Sequence, residues 1–153
     1  MKLREWMDQH RNEVLEAAPT RQAIADLIAV THREIGDAES VRSDDGRLEH
    51  AFAACLAAAS AALLACGFRL RQGTGAHHYR LIESLEHTLG LTRRETQELE
   101  KYRGKRSRSM YERIGVVTRT EADAALAAAR RLRGRVISWL AARHPNLAQG
   151  KQV

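Results

Sequence analysis

From Arg47 to Cys66 neither proline nor glycine interrupts a run built mainly of alanine and leucine, and Gly67 follows at its end. Alanine has the highest helix propensity of any residue, so this stretch reads as one long helix. Phe52, Leu56, Leu63 and Leu64 supply its large apolar side chains. The alanines between them let neighbouring helices approach closely, because the ridges and grooves of such a surface are shallow. A helix of this composition belongs at the centre of a bundle.

The rest of the chain offers partners for it. Only two prolines, Pro19 and Pro145, occur in 153 residues. Leu3, Trp6, Met7, Val14 and Leu15 follow a three/four spacing that predicts a first helix from Lys2 to Ala17. Pro19 breaks the chain and Thr20 caps a second helix, lined by Ile24, Leu27, Ile28 and Ile35 and ending near Asp37. After the turn-forming stretch SVRSDDG (40–46) comes the central helix. A basic linker, FRLRQGTG (68–75), leads to His77-His78-Tyr79 and a fourth helix with Leu81, Ile82, Leu85 and Leu89, closed by Gly90. Thr92 with Glu95 forms a capping-box pattern for a fifth helix reaching toward Tyr111 or Glu112, with Gly104 weakening its middle. Thr120, followed by Glu121 and Asp123, opens a last helix to about Ala142. No alternation of strand length bounded by hairpin turns is visible. The expected fold is an all-α, single-domain bundle of five or six helices. An N-terminal helix occupies 1–19, the bundle 20–143 and a flexible tail 144–153.

Composition narrows the chemistry. Twenty-five Lys and Arg against nineteen Asp and Glu give a formal net charge of +6, which attracts phosphates and other polyanions at long range. Cys55 and Cys66 stand about 16 Å apart along one helix and cannot bridge each other. With a polar start, MKLREWMDQH, and no apolar run near twenty residues, the reading is a reducing cytoplasm. No metal or cofactor is expected: no histidine pair at i, i+4 has a third ligand, and Gly73 and Gly75 are not followed by the Lys-Ser or Lys-Thr of a phosphate-cradling loop.

The basic charge concentrates between Lys101 and Arg113, KYRGKRSRSMYER, where six cations face the single acid Glu112. One helix cannot place all of them on one face, so some must meet a partner, another helix or water. They are either phosphate-contacting residues or a solvated, ion-paired helix surface.

The run Arg106-Ser107-Arg108-Ser109-Met110-Tyr111 resembles the motif of the HEPN family, an arginine and a polar residue, three variable positions, then histidine. It is similar to the variant in which tyrosine and an acid, here Tyr111-Glu112, replace the histidine. The order of features across roughly residues 20–143 also resembles that family: the Ala-rich helix, the glycine-containing linker, the His pair, the arginine motif and an acidic-capped last helix. The resemblance implies a homodimer pairing its motif helices into a composite cleft, and in many members metal-independent RNA cleavage. Arg106 and Tyr111 would then be the catalytic residues, Arg106 stabilising the charged phosphorane. Arg103, Lys105, Ser107, Arg108, His77 and His78 would contact RNA or a nucleotide. Histidine exchanges protons near neutrality, whereas an unperturbed tyrosine with a pKa near 10 is a poor base; this shifts the expectation from turnover toward binding. The resemblance further implies a toxin–antitoxin or phage-defence setting. The alternative is a catalytically silent module that dimerises and binds a partner such as a nucleotidyltransferase.

Overall fold

The computed structural model describes residues 2–72, 77–111 and 116–148, with the side chains of 77 and 106–111 outside that description. Among the described residues the chain forms six helices, α1 (Leu3–Gln9), α2 (Arg21–Ser40), α3 (Asp44–Ala65), α4 (His77–Thr88), α5 (Arg93–Tyr111) and α6 (Arg119–Arg143). Two short strands, β1 (Val14–Glu16) and β2 (Phe68–Leu70), accompany them. The all-α bundle expected from the sequence is what the chain builds.

Helix α3 is the axis around which the others pack: α2, α4, α5 and α6 all lie against it. Ser43 caps it, its hydroxyl accepting from the Gly46 N–H, and Asp44 and Asp45 favour its positive end. Leu48, Ala54, Ala59, Ala61 and Ala62 are wholly buried, so the alanines do bring neighbouring backbones close. Contrary to the expectation of no long apolar run, α3 is long and apolar enough to cross a membrane by length and composition. Most of that window is buried among the other helices, and being surrounded on so many sides accounts for its apolarity.

The N-terminus differs from the expected helix over Lys2–Ala17. Helix α1 ends at Gln9, the N–H groups of Glu13 and Val14 both turn back to the His10 carbonyl, and the chain leaves as β1. β1 pairs antiparallel with β2, in the register Val14 with Leu70 and Glu16 with Phe68. Pairing is possible because α3 stops at Gly67, which holds φ +94°, a conformation open to glycine without steric cost. The first nineteen residues are no separate appendage: Trp6, Met7 and Val14 belong to the main core. Of the tail expected over 144–153, residues 149–153 lie outside the described residues, and the part up to Ala148 is held on the bundle. The Leu147 and Ala148 N–H groups bond the His144 carbonyl, both residues pack on the core, and Arg21 Nε donates to the Asn146 carbonyl at 3.2 Å.

Helix α6 starts two residues earlier than expected. Thr118, not Thr120, is the cap, forming a reciprocal capping box with Glu121. The box expected at Thr92 and Glu95 is present at the start of α5, with N–H to side-chain distances of 2.8 and 3.1 Å.

Candidate nucleic-acid interface

Helix α5 is divided between packing and charge. Leu91 just before it, then Leu99 and Tyr102, are buried against the bundle. From Lys101 onward the sequence turns basic, and the first of those cations are tethered. Lys105 Nζ lies 3.1 Å from Glu121 Oε2 and donates to the Val116 carbonyl at 3.2 Å, joining α5 to the N-terminus of α6. Arg103 pairs with Glu100 on its own helix. Lys101 is exposed. Of the expected contact residues, Arg103 and Lys105 therefore already have acidic partners. The helical backbone of α5 extends through Arg106, Ser107, Arg108 and Tyr111, but their side chains, and that of His77, lie outside the described residues. His78 is half-buried, its ring in a T-shaped contact with that of the core residue Phe52, centroids 6.2 Å apart.

A second group of cations, not singled out in the sequence, lies on α6: Arg130, Arg131, Arg133 and Arg135, of which Arg131 and Arg135 face the cleft with α5. Three are engaged. Arg130 pairs with Glu39 of α2, Arg133 meets His32 Nδ1 at 3.3 Å, and Arg135 bonds Glu95 of α5 at 3.1 Å. Glu95 also accepts the capping bond from Thr92, which with the Arg135 charge holds its carboxyl below the usual range. Arg131 is exposed, and no acid lies in ion-pair contact with it among the described residues. The sequence signal was present, four arginines in six positions, but it reads as an ordinary charged helix face until the packing sets it beside α5.

Between α5 and α6 two clefts succeed each other. One of about 230 Å³ is lined by Glu95, Glu98, Leu99, Arg131 and Arg135. The other, of about 490 Å³, lies farther along, between Lys101, Tyr102 and Lys105 on one side and Thr120 and Glu121 on the other. Burial, followed by the nearby Glu98 carboxylate, pushes the Tyr102 phenol up, so this tyrosine stays protonated and serves as a wall or a hydroxyl donor rather than a base. The opposite side of α5 has the other polarity: a cleft of about 200 Å³ against α4 is lined by Glu83, Glu86 and Glu100 beside Arg93. One Glu100 oxygen there is buried without a hydrogen-bond partner. The α6 side mixes cations with Glu95, Glu98 and Glu121, whereas the α4 side has three carboxylates against one arginine in its lining.

Remaining clusters fit structural roles. Glu34, Asp37 and His50 each offer a metal-ligating atom within 4.8 Å of the others, a set that sequence spacing did not show because it spans α2 and α3. His50 Nδ1 lies 2.7 Å from Glu34 Oε2, a contact that by itself ties the two helices together. Both cysteines are free. Burial pushes the Cys55 thiol up to about 12 and the Cys66 thiol up to about 11, which removes nucleophilic thiolate at neutral pH. No protein-family model matches the chain, nor does any curated protein or solved structure.

Proposed function

We propose that the protein binds RNA or a nucleotide in the cytoplasm through the face where α5 meets α6, as a HEPN-like homodimer. One observation carries this reading: Lys101, Lys105, Arg131 and Arg135 line successive clefts along one seam, two of them paired to Glu121 and Glu95 while Lys101 and Arg131 are exposed, and α5 runs on from Lys105 directly into Arg106. Cations spaced along an open groove suit a chain of phosphates, whose contacts dominate nucleic-acid affinity. The acidic α4–α5 cleft gives the molecule a polarity that would orient such a ligand.

Cleavage, where it occurs, follows from the same arrangement without a metal. The RNA 2′-oxygen forms a bond to the adjacent phosphorus and yields its proton to a base. The bond from phosphorus to the 5′-oxygen breaks, and that oxygen takes a proton, leaving a 2′,3′-cyclic phosphate. In this scheme Arg106 stabilises the phosphorane and Tyr111 gives its phenolic proton to the leaving oxygen. Among the described residues no base is in view: Tyr102 is held protonated, His78 packs its ring on Phe52, and the side chains of His77 and Tyr111 lie outside the described residues. Binding is therefore favoured over turnover.

End-labelled RNA incubated with the protein and EDTA at low salt tests both. The reading expects retention that falls linearly in log salt; a cyclic-phosphate product would add the nuclease activity. Protein that retains neither intact nor cut RNA at low salt would overturn the RNA reading and favour a module for a protein partner such as a nucleotidyltransferase.

A further inference from the structure

We propose that the groove over Gly134 on α6 is a second phosphate-binding subsite, one that takes the backbone of single-stranded RNA beyond the α5 motif. The inference rests on the RNA-binding reading and extends it to residues that the motif does not include.

Arg131, Gly134, Arg135 and Ser138 fall at i, i+3, i+4 and i+7, the spacing of one helix face. Arg130 and Trp139 flank them, and together with Leu89 they line a shallow, open groove of about 610 Å³. Arg131 and Arg135 are separated by about 6 Å of helix rise, a spacing that can engage neighbouring phosphates of one strand. Arg131 is the cation of this face that no acid neutralises among the described residues, so it can bind an external anion without giving up an internal partner. Arginine also offers a planar fork of donors that matches phosphate oxygens.

Gly134 gives an independent reason. Glycine in the middle of a helix is destabilising relative to alanine, and close packing normally justifies it. Here a Cβ at position 134 would meet no atom within 4 Å, so nothing within the described chain requires its absence. What its absence does is keep the floor of the groove low between two arginines. A strand laid along α6 could then approach the helix backbone, with Ser138 as a further donor and Trp139 as an apolar wall for a base. The groove shares Arg131 and Arg135 with the α5–α6 cleft, which makes it continuous with the proposed interface.

The full-length protein, titrated with fluorescein-labelled single-stranded RNA of about twelve nucleotides, separates the possibilities. Two variants probe the groove. Arg131→Ala removes one cation without orphaning an acid, and Gly134→Gln fills the floor with a neutral side chain that has room within the fold. The subsite predicts about tenfold weaker binding for each. It further predicts a log–log salt slope shallower by about one for Arg131→Ala and an unchanged slope for Gly134→Gln. Trp139 should report the event by a change in fluorescence, whereas Trp6, 2% exposed, should not. If both variants bind as the wild type does while Arg106→Ala weakens binding, the subsite is overturned and the RNA reading stands. If Arg131→Ala and Gly134→Gln weaken binding but Arg106→Ala does not, the groove is upheld and the motif reading falls. Absence of binding by the wild type overturns both.

Discussion

Replacing Trp6 by phenylalanine should destabilise the protein in a pH-dependent way. The indole Nε1–H donates to Glu83 Oε1 at 2.7 Å, and the same carboxylate takes a bond from Arg80 at 2.8 Å, Arg80 also holding Glu13 at 2.5 Å. The contact fastens α1 to α4, with the Trp6 ring between His10 and His87. Burial alone would push the Glu83 carboxyl up, but the Trp6 and Arg80 hydrogen bonds outweigh it and hold the group below the usual carboxylate range. A hydrogen bond to a charged acceptor contributes about 1.5–3 kcal/mol. At neutral pH W6F should therefore cost about 2 kcal/mol from the bond, beyond the loss of ring volume, or about 4–8 °C in Tm for a chain of this size. The sign with pH follows from the lowered pKa: the contribution is complete above the unfolded carboxyl value near 4.3 and fades as pH falls through the folded value. Thermal melts of wild type and W6F from pH 3 to pH 8 check this. A gap that narrows at the acid end supports the bond; a gap equal at pH 3 and pH 7 would mean that volume alone mattered and would refute the argument.

Thr118→Ala removes one half of the capping box that starts α6 and should cost about 1 kcal/mol, read as a lower urea midpoint; an unchanged midpoint would show that Lys105 and Glu121 hold this helix end without the cap. Alkylation of Cys55 by iodoacetamide at pH 8 should be far slower in the native protein than in urea, because burial has pushed its thiol to about 12; equal rates would contradict the buried position. Cys66, half-buried and at about 11, should react faster than Cys55 as pH approaches 10, which mass spectrometry of the labelled peptides resolves.

Where local chemistry decides the structure, the sequence was legible. The Ala-rich run, the Thr92–Glu95 box and the stops at Gly67 and Gly90 each rest on neighbours a few residues away, and each stands close to where it was expected. The N-terminus was not legible for the opposite reason. Val14–Glu16 becomes a strand only because Phe68–Leu70, more than fifty positions on, pairs with it, and three residues are too few for a period of two to stand out against a three/four pattern. The start of α6 was ambiguous locally, since Thr118 and Thr120 each have an acid three residues later. For the candidate site, the sequence located the basic half of α5 but not its neighbour. Arg131 and Arg135 acquire meaning when α6 is laid beside α5, and the tethering of Arg103 and Lys105 appears only with the acids that face them.

In the proposed function Arg106 meets a phosphate of bound RNA. Its most direct test compares Arg106→Ala with Arg11→Ala, which removes the same charge from an exposed arginine paired to Asp8, in RNA affinity measured across a salt series. Arg106→Ala should weaken binding about tenfold or more and lower the log–log salt slope by about one, with Arg11→Ala close to wild type. Equal, small losses for both variants would contradict it, since the protein would then be attracting RNA by net charge alone.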